Sequence, residues 1–356
     1  VRIGILSPYS LTLPGGVQGQ VLGLARELRA LGHQARVLGP CDGAPPEPGV
    51  TPLGLSLPTA ANGSMAPIAP DPSAALRTMR ALRDEDFDVL HLHEPLAPGP
   101  TLTTLVVKPR PLVGTFHAAG GSLAYKWLRP LTRWASGHLD RRFAVSADAR
   151  AMAREALGGE YDIVFNGVEV ARYRAAEPWP KEAPTILFVG RHEPRKGLAV
   201  LLEAMAELGG DVRLWVGGDG PETAELQARY AADPRIEWLG RLGEEEKLRR
   251  LRAADVFCAP SLRGESFGIV LLEAMAAGAP LVASDLAGYA NVARAGRDGL
   301  LVPPGDARAL AQAIEKVLRN PDLAAGLVAS GDERAAEFSM RRLAEIYLAA
   351  YQDLID

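Results

Sequence analysis

Glu265-Ser-Phe-Gly-Ile-Val-Leu-Leu-Glu273 places two carboxylates seven residues apart, followed by Ala274-Met-Ala-Ala-Gly278. Gly268 stands near the start of a helix-forming run, so the segment reads as a loop entering a helix whose free backbone N–H groups favour an anion. Eight helical residues rise roughly 12 Å, which is too far for both acids to serve one small reaction centre. The pair can instead grip two parts of one long ligand, such as the sugar and the ribose of a nucleotide sugar. The same spacing fits an ordinary amphipathic helix with one exposed and one capping acid, and other residues must decide.

Candidate partners follow other strand-like runs. Gly190-Arg191-His-Glu-Pro-Arg195-Lys196-Gly197 sets cations beside a helix start, where a planar guanidinium and a compact ammonium suit a diphosphate. Gly217-Gly-Asp-Gly220 can bring backbone to a phosphate or simply make a turn. Pro14-Gly15-Gly16-Val-Gln18 precedes another helix, with the same two readings. It departs from the dinucleotide G-x-G-x-x-G pattern, and Arg36-Val-Leu-Gly-Pro40 lacks a ribose-binding acid, so a nicotinamide enzyme is disfavoured. His91 and His93 alternate onto one strand face and superficially resemble a metal site, but no third ligand has a convincing spacing. His117 ends a strand-like run, a position where α/β ligands collect.

These loops need a scaffold. Apolar runs at Arg2–Ser7, Gln34–Leu38, Asp88–Leu92, Pro111–Phe116, Arg142–Val145 and Asp162–Phe165 alternate with helical stretches, and the pattern restarts from Thr185. Such alternation predicts two α/β domains of the Rossmann-like, doubly wound parallel-sheet kind, with ligands at the carboxyl ends of the strands around a cleft. The expected division is 1–168, 169–338 and a helix over 339–356 that crosses back to the first domain. Ala175–Pro184, polar and proline-containing, is the linker candidate, and the final helix carries an apolar stripe at Leu343, Ile346, Tyr347, Ala350 and Leu354.

The 356 residues carry 47% hydrophobic and 23% charged side chains, ordinary for a soluble globular chain, and a formal net charge of −4 that argues against nucleic acid as a partner. No apolar run reaches the ~18 residues of a membrane span. The start lacks a signal-peptide pattern, so a cytoplasmic enzyme is expected. Cys41 and Cys258 are read as packing residues. A helix bearing Arg77, Arg80 and Arg83 beside Leu76, Met79 and Leu82 can lie on an anionic membrane surface, as can Tyr125–Trp134, where Pro130 is expected to disturb the helix.

Together Gly190-Arg191, Lys196, Gly217-Gly-Asp-Gly220 and Glu265-x7-Glu273 resemble the retaining GT-B glycosyltransferases of family 4 over essentially the whole chain. Pro8-Tyr-Ser, Asn62-Gly-Ser64, Phe87-Asp-Val-Leu-His91, His93-Glu-Pro95 and Thr115-Phe-His117 bring it nearest the actinobacterial branch that mannosylates phosphatidylinositol. The resemblance implies a GT-B fold and transfer of mannose from GDP-mannose to the inositol ring of that lipid at the inner membrane face. It implies no metal or other cofactor for leaving-group departure. A related acceptor, lipid or soluble, and a non-catalytic sugar-binding role are the alternatives. By position, Arg191 and Lys196 would bind the diphosphate, with the Gly16 backbone closing over it. Glu265, with the backbone near Phe267 and Gly268, would hold the sugar, Glu273 the ribose, and Leu242 and Lys247 the base. His117 would contact the sugar near the reacting carbon, and Tyr9, Gln18, Asn62, Ser64 and His117 would line the acceptor side.

Overall fold

Parallel strands buried on both faces show as short unbroken apolar runs, and these runs become the central strands of two sheets. The computed structural model describes residues 1–356 except Pro14, Asn62, Gly63, 118–128 and Ser266, and except the side chains of Ala60, Ala61, Ser64, Met65, Arg129 and Leu131. Two compact units result, Val1–Gly167 with Met340–Asp356, and Val168–Ser339.

In the first unit, β1 (Arg2–Leu6), β2 (Gln34–Gly39) and β3 (Val50–Pro52) precede an antiparallel hairpin of β4 (Leu57–Ala61) and β5 (Ser64–Ile68). β6 (Val89–His93), β7 (Leu112–Phe116), β8 (Arg141–Ala144) and β9 (Asp162–Ile163) complete a seven-stranded sheet of order β3-β2-β1-β6-β7-β8-β9. All its pairings are parallel. Alternation along the strands feeds two cores. Ile3, Ile5, Val89 and Val113 meet Val21, Leu24 and Leu28 of the helix Gly16–Ala30, whereas Leu6, Leu90, Leu92 and Leu112 meet Ala149, Ala153 and Leu157 of the helix Ala147–Leu157.

The helix Met340–Ile355 joins the first of these cores through Met340, Leu343, Ala344, Tyr347, Ala350 and Tyr351. That stripe is rotated from the expected one, because Ile346 lies on the exposed edge. β3, β4 and β5 were not expected. Ala175–Pro184 is not a linker but part of the second unit, where the Trp179 N–H donates to the Arg249 carbonyl at 2.9 Å and the Arg249 and Arg250 guanidinium groups lie 4.9 and 4.5 Å from the indole centre. Cation–π contact holds down a segment whose prolines suggested freedom.

The second unit repeats the winding in a six-stranded parallel sheet of order β12-β11-β10-β13-β14-β15. Its strands are β10 (Thr185–Val189), β11 (Arg213–Gly217), β12 (Ile236–Gly240), β13 (Val256–Ala259), β14 (Leu281–Ser284) and β15 (Leu300–Val302). Ile186, Phe188, Leu214, Val216, Val256 and Cys258 form its core with helices Leu198–Ala204 and Ala307–Arg319. The order reverses between β10 and β13, as it does between β1 and β6, and ligands of such sheets bind beyond the strand carboxyl ends at that switch point. Cys41 and Cys258 are both buried thiols. Among the described residues no helix is long and apolar enough to cross a membrane, and no group of three His, Cys, Asp or Glu side chains is placed to hold a metal ion.

Candidate functional site

The loop after β10 is pressed against the end of β13 by glycine. Gly197 adopts φ +68, and a Cβ there would lie 2.0 Å from the Pro260 carbonyl oxygen, so only glycine permits this approach. The Leu262 N–H donates to the Arg195 carbonyl at 2.8 Å, lacing the two loops together. The consequence is a contact between residues 69 apart, in which Lys196 Nζ donates to Glu265 Oε1 at 2.6 Å. Ser261 Oγ donates to the same oxygen at 3.0 Å, the Tyr289 hydroxyl donates to Ser261 Oγ at 2.9 Å, and Arg195 stands 3.4 Å from Glu265 Oε1. Three donors thus fix one carboxylate with mostly buried side chains around it.

Arg191 reaches this cluster through Glu193. Its Nε lies 3.1 Å from Glu193 Oε1, while Arg195 Nε donates to Glu193 Oε2 at 2.9 Å. One buried carboxylate therefore orients two guanidinium groups, and Arg191 remains partly exposed beside Lys196 in sequence.

The helix Ile269–Ala277 carries Glu273 at its middle and begins four residues after Glu265. It opens at Gly268 with φ 89 and closes at Gly278 with φ 72, the left-handed conformation glycine accepts at helix ends. Phe267 is buried against Phe338, with ring centres 5.8 Å apart. Midway along the helix Lys247 Nζ donates to Glu273 Oε1 at 2.8 Å, and the buried Tyr173 is hydrogen-bonded to the same carboxylate. Burial, and then the charges of Glu273, Glu244 and Glu169, push the Tyr173 hydroxyl well above its ordinary pKa, so it stays a donor. Leu242 covers Gly217, where an added Cβ would come within 2.7 Å of Leu242 Cδ1. Each glutamate thus has its own lysine partner, one in the loop before the helix and one within it, and a carboxylate so held retains lone pairs for ligand hydroxyls.

In the first unit, Tyr9 follows β1, bridges to Ile68, and its hydroxyl pKa is raised by burial and then by Glu94. Gln18 turns back onto its own loop, donating from Nε2 to the Ser10 carbonyl at 3.3 Å. Gly16 is the first residue of its helix. Asn62 lies outside the described residues, as does the Ser64 side chain, although Ser64 opens β5.

The histidines are held by hydrogen bonds to side chains and backbone around them. His91 Nδ1 meets the Tyr351 hydroxyl at 2.7 Å and His91 Nε2 meets Thr115 Oγ1 at 2.8 Å, while Thr115 contacts the Tyr347 hydroxyl at 3.0 Å. His93 Nδ1 lies 2.8 Å from His117 Nε2, the His117 N–H donates to Glu94 Oε1 at 2.7 Å, and the Asn166 side chain hydrogen-bonds the His117 ring. Burial lowers all three pKa values from 6.5, to about 3 for His91, to about 4 for His117 and well below 6.5 for His93.

A stability prediction arises from these shifts. The unfolded rings take up protons near 6.5 but folded His91 and His117 only at about 3 and about 4, so the stabilisation is complete above pH 6.5 and lost as pH falls through the folded values. The melting temperature should fall between neutral pH and about pH 5, and fall less in His91→Asn, which removes one of the rings. Equal falls in the two proteins, followed by scanning calorimetry, would refute this origin.

The amphipathic helix Pro72–Asp84 exposes Leu76 and Met79 but buries Leu82. Arg77 is not a free head group, since its Nε donates to the Leu53 carbonyl at 2.8 Å. Arg80 and Arg83 stay exposed, 3.5 and 3.0 Å from Asp84. Of the second surface candidate, 118–128 lie outside the described residues, Trp134 is exposed, and Pro130 occupies the first turn of the helix Arg129–Ser136, where its missing N–H does no harm. The expected disturbance there does not occur.

The sequence reading missed Glu193, Ser261, Tyr289 and Tyr173, which hold the charged groups, and Glu94, which holds His117. Glu193 had a signal, being the acid within a cationic turn. The others are single polar residues whose role appears only when distant strand ends meet.

Comparison with known proteins gives a consistent assignment. The sequence pattern of "Glycosyl transferases group 1" matches residues 169–334, and that of "Glycosyltransferase Family 4" matches 14–172. The chain is 42% identical to the phosphatidyl-myo-inositol mannosyltransferase of Mycobacterium leprae (strain TN), over 99% of this chain and 96% of that protein. It is 38% identical to the protein of that name from Mycolicibacterium smegmatis, over 99% and 94%. Among solved structures, Anabaena Alr3699/HepE in complex with UDP and glucose is similar with a TM-score of 0.76 at 20% identity, covering 99% of this chain and 100% of that one. The sucrose-phosphate synthase of Thermosynechococcus elongatus is similar with a TM-score of 0.77 at 22% identity, covering 99% and 98%.

Proposed function

Because the chain belongs to the family 4 glycosyltransferases and has their GT-B fold, we propose that it transfers mannose from GDP-mannose to the inositol ring of phosphatidylinositol, with retention of anomeric configuration. The observation that carries the donor assignment is the pair of lysine-held glutamates, Lys196–Glu265 in the loop before one helix and Lys247–Glu273 within that helix. The acceptor and the sugar come from the likeness to phosphatidyl-myo-inositol mannosyltransferases across nearly the whole chain.

In this reading Glu265 accepts hydrogen bonds from hydroxyls of the transferred mannose, with the backbone around Phe267 and Gly268 nearby. Glu273 takes the ribose hydroxyls, and Leu242 and Lys247 border the guanine. Lys196 and Arg191 neutralise the diphosphate, and Gly16 offers its backbone to it. As the bond between the anomeric carbon and the phosphate oxygen breaks, negative charge grows on the diphosphate, and preorganised cations stabilise that charge without a metal. The inositol oxygen forms the new bond on the face the phosphate leaves, and its proton passes to a diphosphate oxygen. His117 contacts the sugar near the reacting carbon, while Tyr9, Gln18, Asn62 and Ser64 line the inositol phosphate.

A lipid acceptor requires work at a membrane. We assign the protein to the cytoplasmic face as a peripheral enzyme, with Leu76, Met79, Arg80 and Arg83 as the contact surface, because apolar and cationic side chains exposed on one helix suit an anionic bilayer. The test is a matrix of nucleotide sugars against acceptors, with release of nucleoside diphosphate as readout. GDP release from GDP-mannose that requires phosphatidylinositol vesicles supports the proposal. Folded protein that releases diphosphate only with another sugar donor, or without dependence on that lipid, contradicts it.

A further inference from the structure

His93 ends β6, and His117 follows β7 immediately, in a register that sets His93 opposite Thr115. Their rings are nearly parallel, inclined by 22° with centres 5.1 Å apart, and the 2.8 Å between His93 Nδ1 and His117 Nε2 holds a single proton. His93 is enclosed, and among the described residues its Nε2 has no hydrogen-bond partner.

That orphan nitrogen decides the direction of the shared bond. If His117 donated, a neutral His93 would carry its own proton on Nε2, leaving a buried N–H with no acceptor. If His93 donates from Nδ1, Nε2 is only a bare lone pair. A buried donor without a partner is the rarer arrangement. Asn166 can serve the other nitrogen of His117 in either case, by turning its amide. The His117 backbone has no freedom to compensate, because its N–H is held by Glu94, a non-glycine residue at φ 49 whose own N–H donates to the Thr115 carbonyl at 2.9 Å.

We propose that His93 is a positioning residue that donates from Nδ1 to His117 Nε2, fixing His117 in the Nδ1–H tautomer with its Nε2 lone pair occupied. His117 then presents a fixed ring to the sugar and is not a base through Nε2. The neutral state this requires agrees with the enclosure of His93 beside His91, whose ring centre is 4.5 Å away, and with the lowered proton affinity of all three rings. The consequence for catalysis rests on the reading of His117 as a sugar contact, whereas the tautomer does not.

The test uses the full chain labelled with 15N-histidine. Long-range 1H–15N spectra should show His93 and His117 both protonated on Nδ1 and bare on Nε2, unchanged from about pH 6 to about pH 8. A proton on Nε2 of either ring overturns the proposal. In the lipid-dependent assay, His93→Asn, whose amide N–H stands near the Nδ1 position, should keep kcat within about threefold, whereas His93→Leu should lower kcat about tenfold with donor KM within about twofold. Equal losses in both variants, or a loss confined to KM, also overturn it. Should His93→Leu fail to fold, the wild-type spectra decide. Should the wild type show no transfer, the functional reading fails and the spectra still decide the tautomer.

Discussion

Lys196→Met is expected to lower kcat for GDP-mannose about 10²- to 10³-fold, the scale of losing one preorganised stabiliser of developing negative charge. The ammonium is the shortest partner of Glu265, at 2.6 Å, and its side chain is mostly buried. Some stability is also lost. Glu265 keeps Ser261 at 3.0 Å and Arg195 at 3.4 Å, which limits the cost to about 1–2 kcal/mol rather than that of an uncompensated buried charge. Lys196→Arg should recover part of the activity, since it keeps the charge but changes its shape. Steady-state diphosphate release at saturating donor, paired with thermal melts, checks the result. A kcat for Lys196→Met within about threefold of wild type would remove Lys196 from leaving-group stabilisation.

Gly218→Ala should disrupt the second unit by about 2–4 kcal/mol and abolish most activity. Gly218 adopts φ +114, and a Cβ would fall 1.9 Å from the Gly190 carbonyl oxygen, a backbone atom that cannot swing aside. The same turn is tied down by Gly218 N–H to Gly240 O at 2.7 Å and Gly190 N–H to Gly217 O at 3.1 Å. Relief of the clash must therefore move the loop that carries Arg191. Gly210→Ala is the control, because no atom outside its immediate chain neighbours lies within 4 Å of an added Cβ. Hydrogen exchange should show lost protection in β10 and β11 with β1 and β6 unchanged. A Gly218→Ala protein that melts like wild type would refute the steric argument.

Sequence patterning reveals these sheets where burial is two-sided. β1 ends within one residue of the expected Arg2–Ser7, and β10 begins at Thr185, where the pattern was expected to restart. The hairpin was illegible for a physical reason. Pro58 and Pro67, which pair across it, argue against a strand, because proline cannot donate to a ladder. β3, at three residues, is too short for periodicity to register. Within the candidate site, the glycine turns and cationic loops were legible because their spacing is local. The Lys196–Glu265 and Lys247–Glu273 contacts were not, since residues 69 and 26 apart are joined only by β10 and β13 lying side by side and by the helix packing around them. Arg77 shows the same limit: helical spacing gives the arc on which its side chain begins, and the hydrogen bond to the Leu53 carbonyl appears only in the fold.

Central to this account is a single donor spanned by the two glutamates. Calorimetric titration of GDP and GDP-mannose into wild type, Glu265→Gln and Glu273→Gln separates its two ends. Glu273→Gln should weaken GDP and GDP-mannose by the same factor, about tenfold, because the ribose is common to both ligands. Glu265→Gln should weaken GDP-mannose while leaving GDP within about twofold, because only the sugar is lost. The opposite pattern, or unchanged affinities in both variants, would contradict the assignment of Glu265 to the sugar and Glu273 to the ribose.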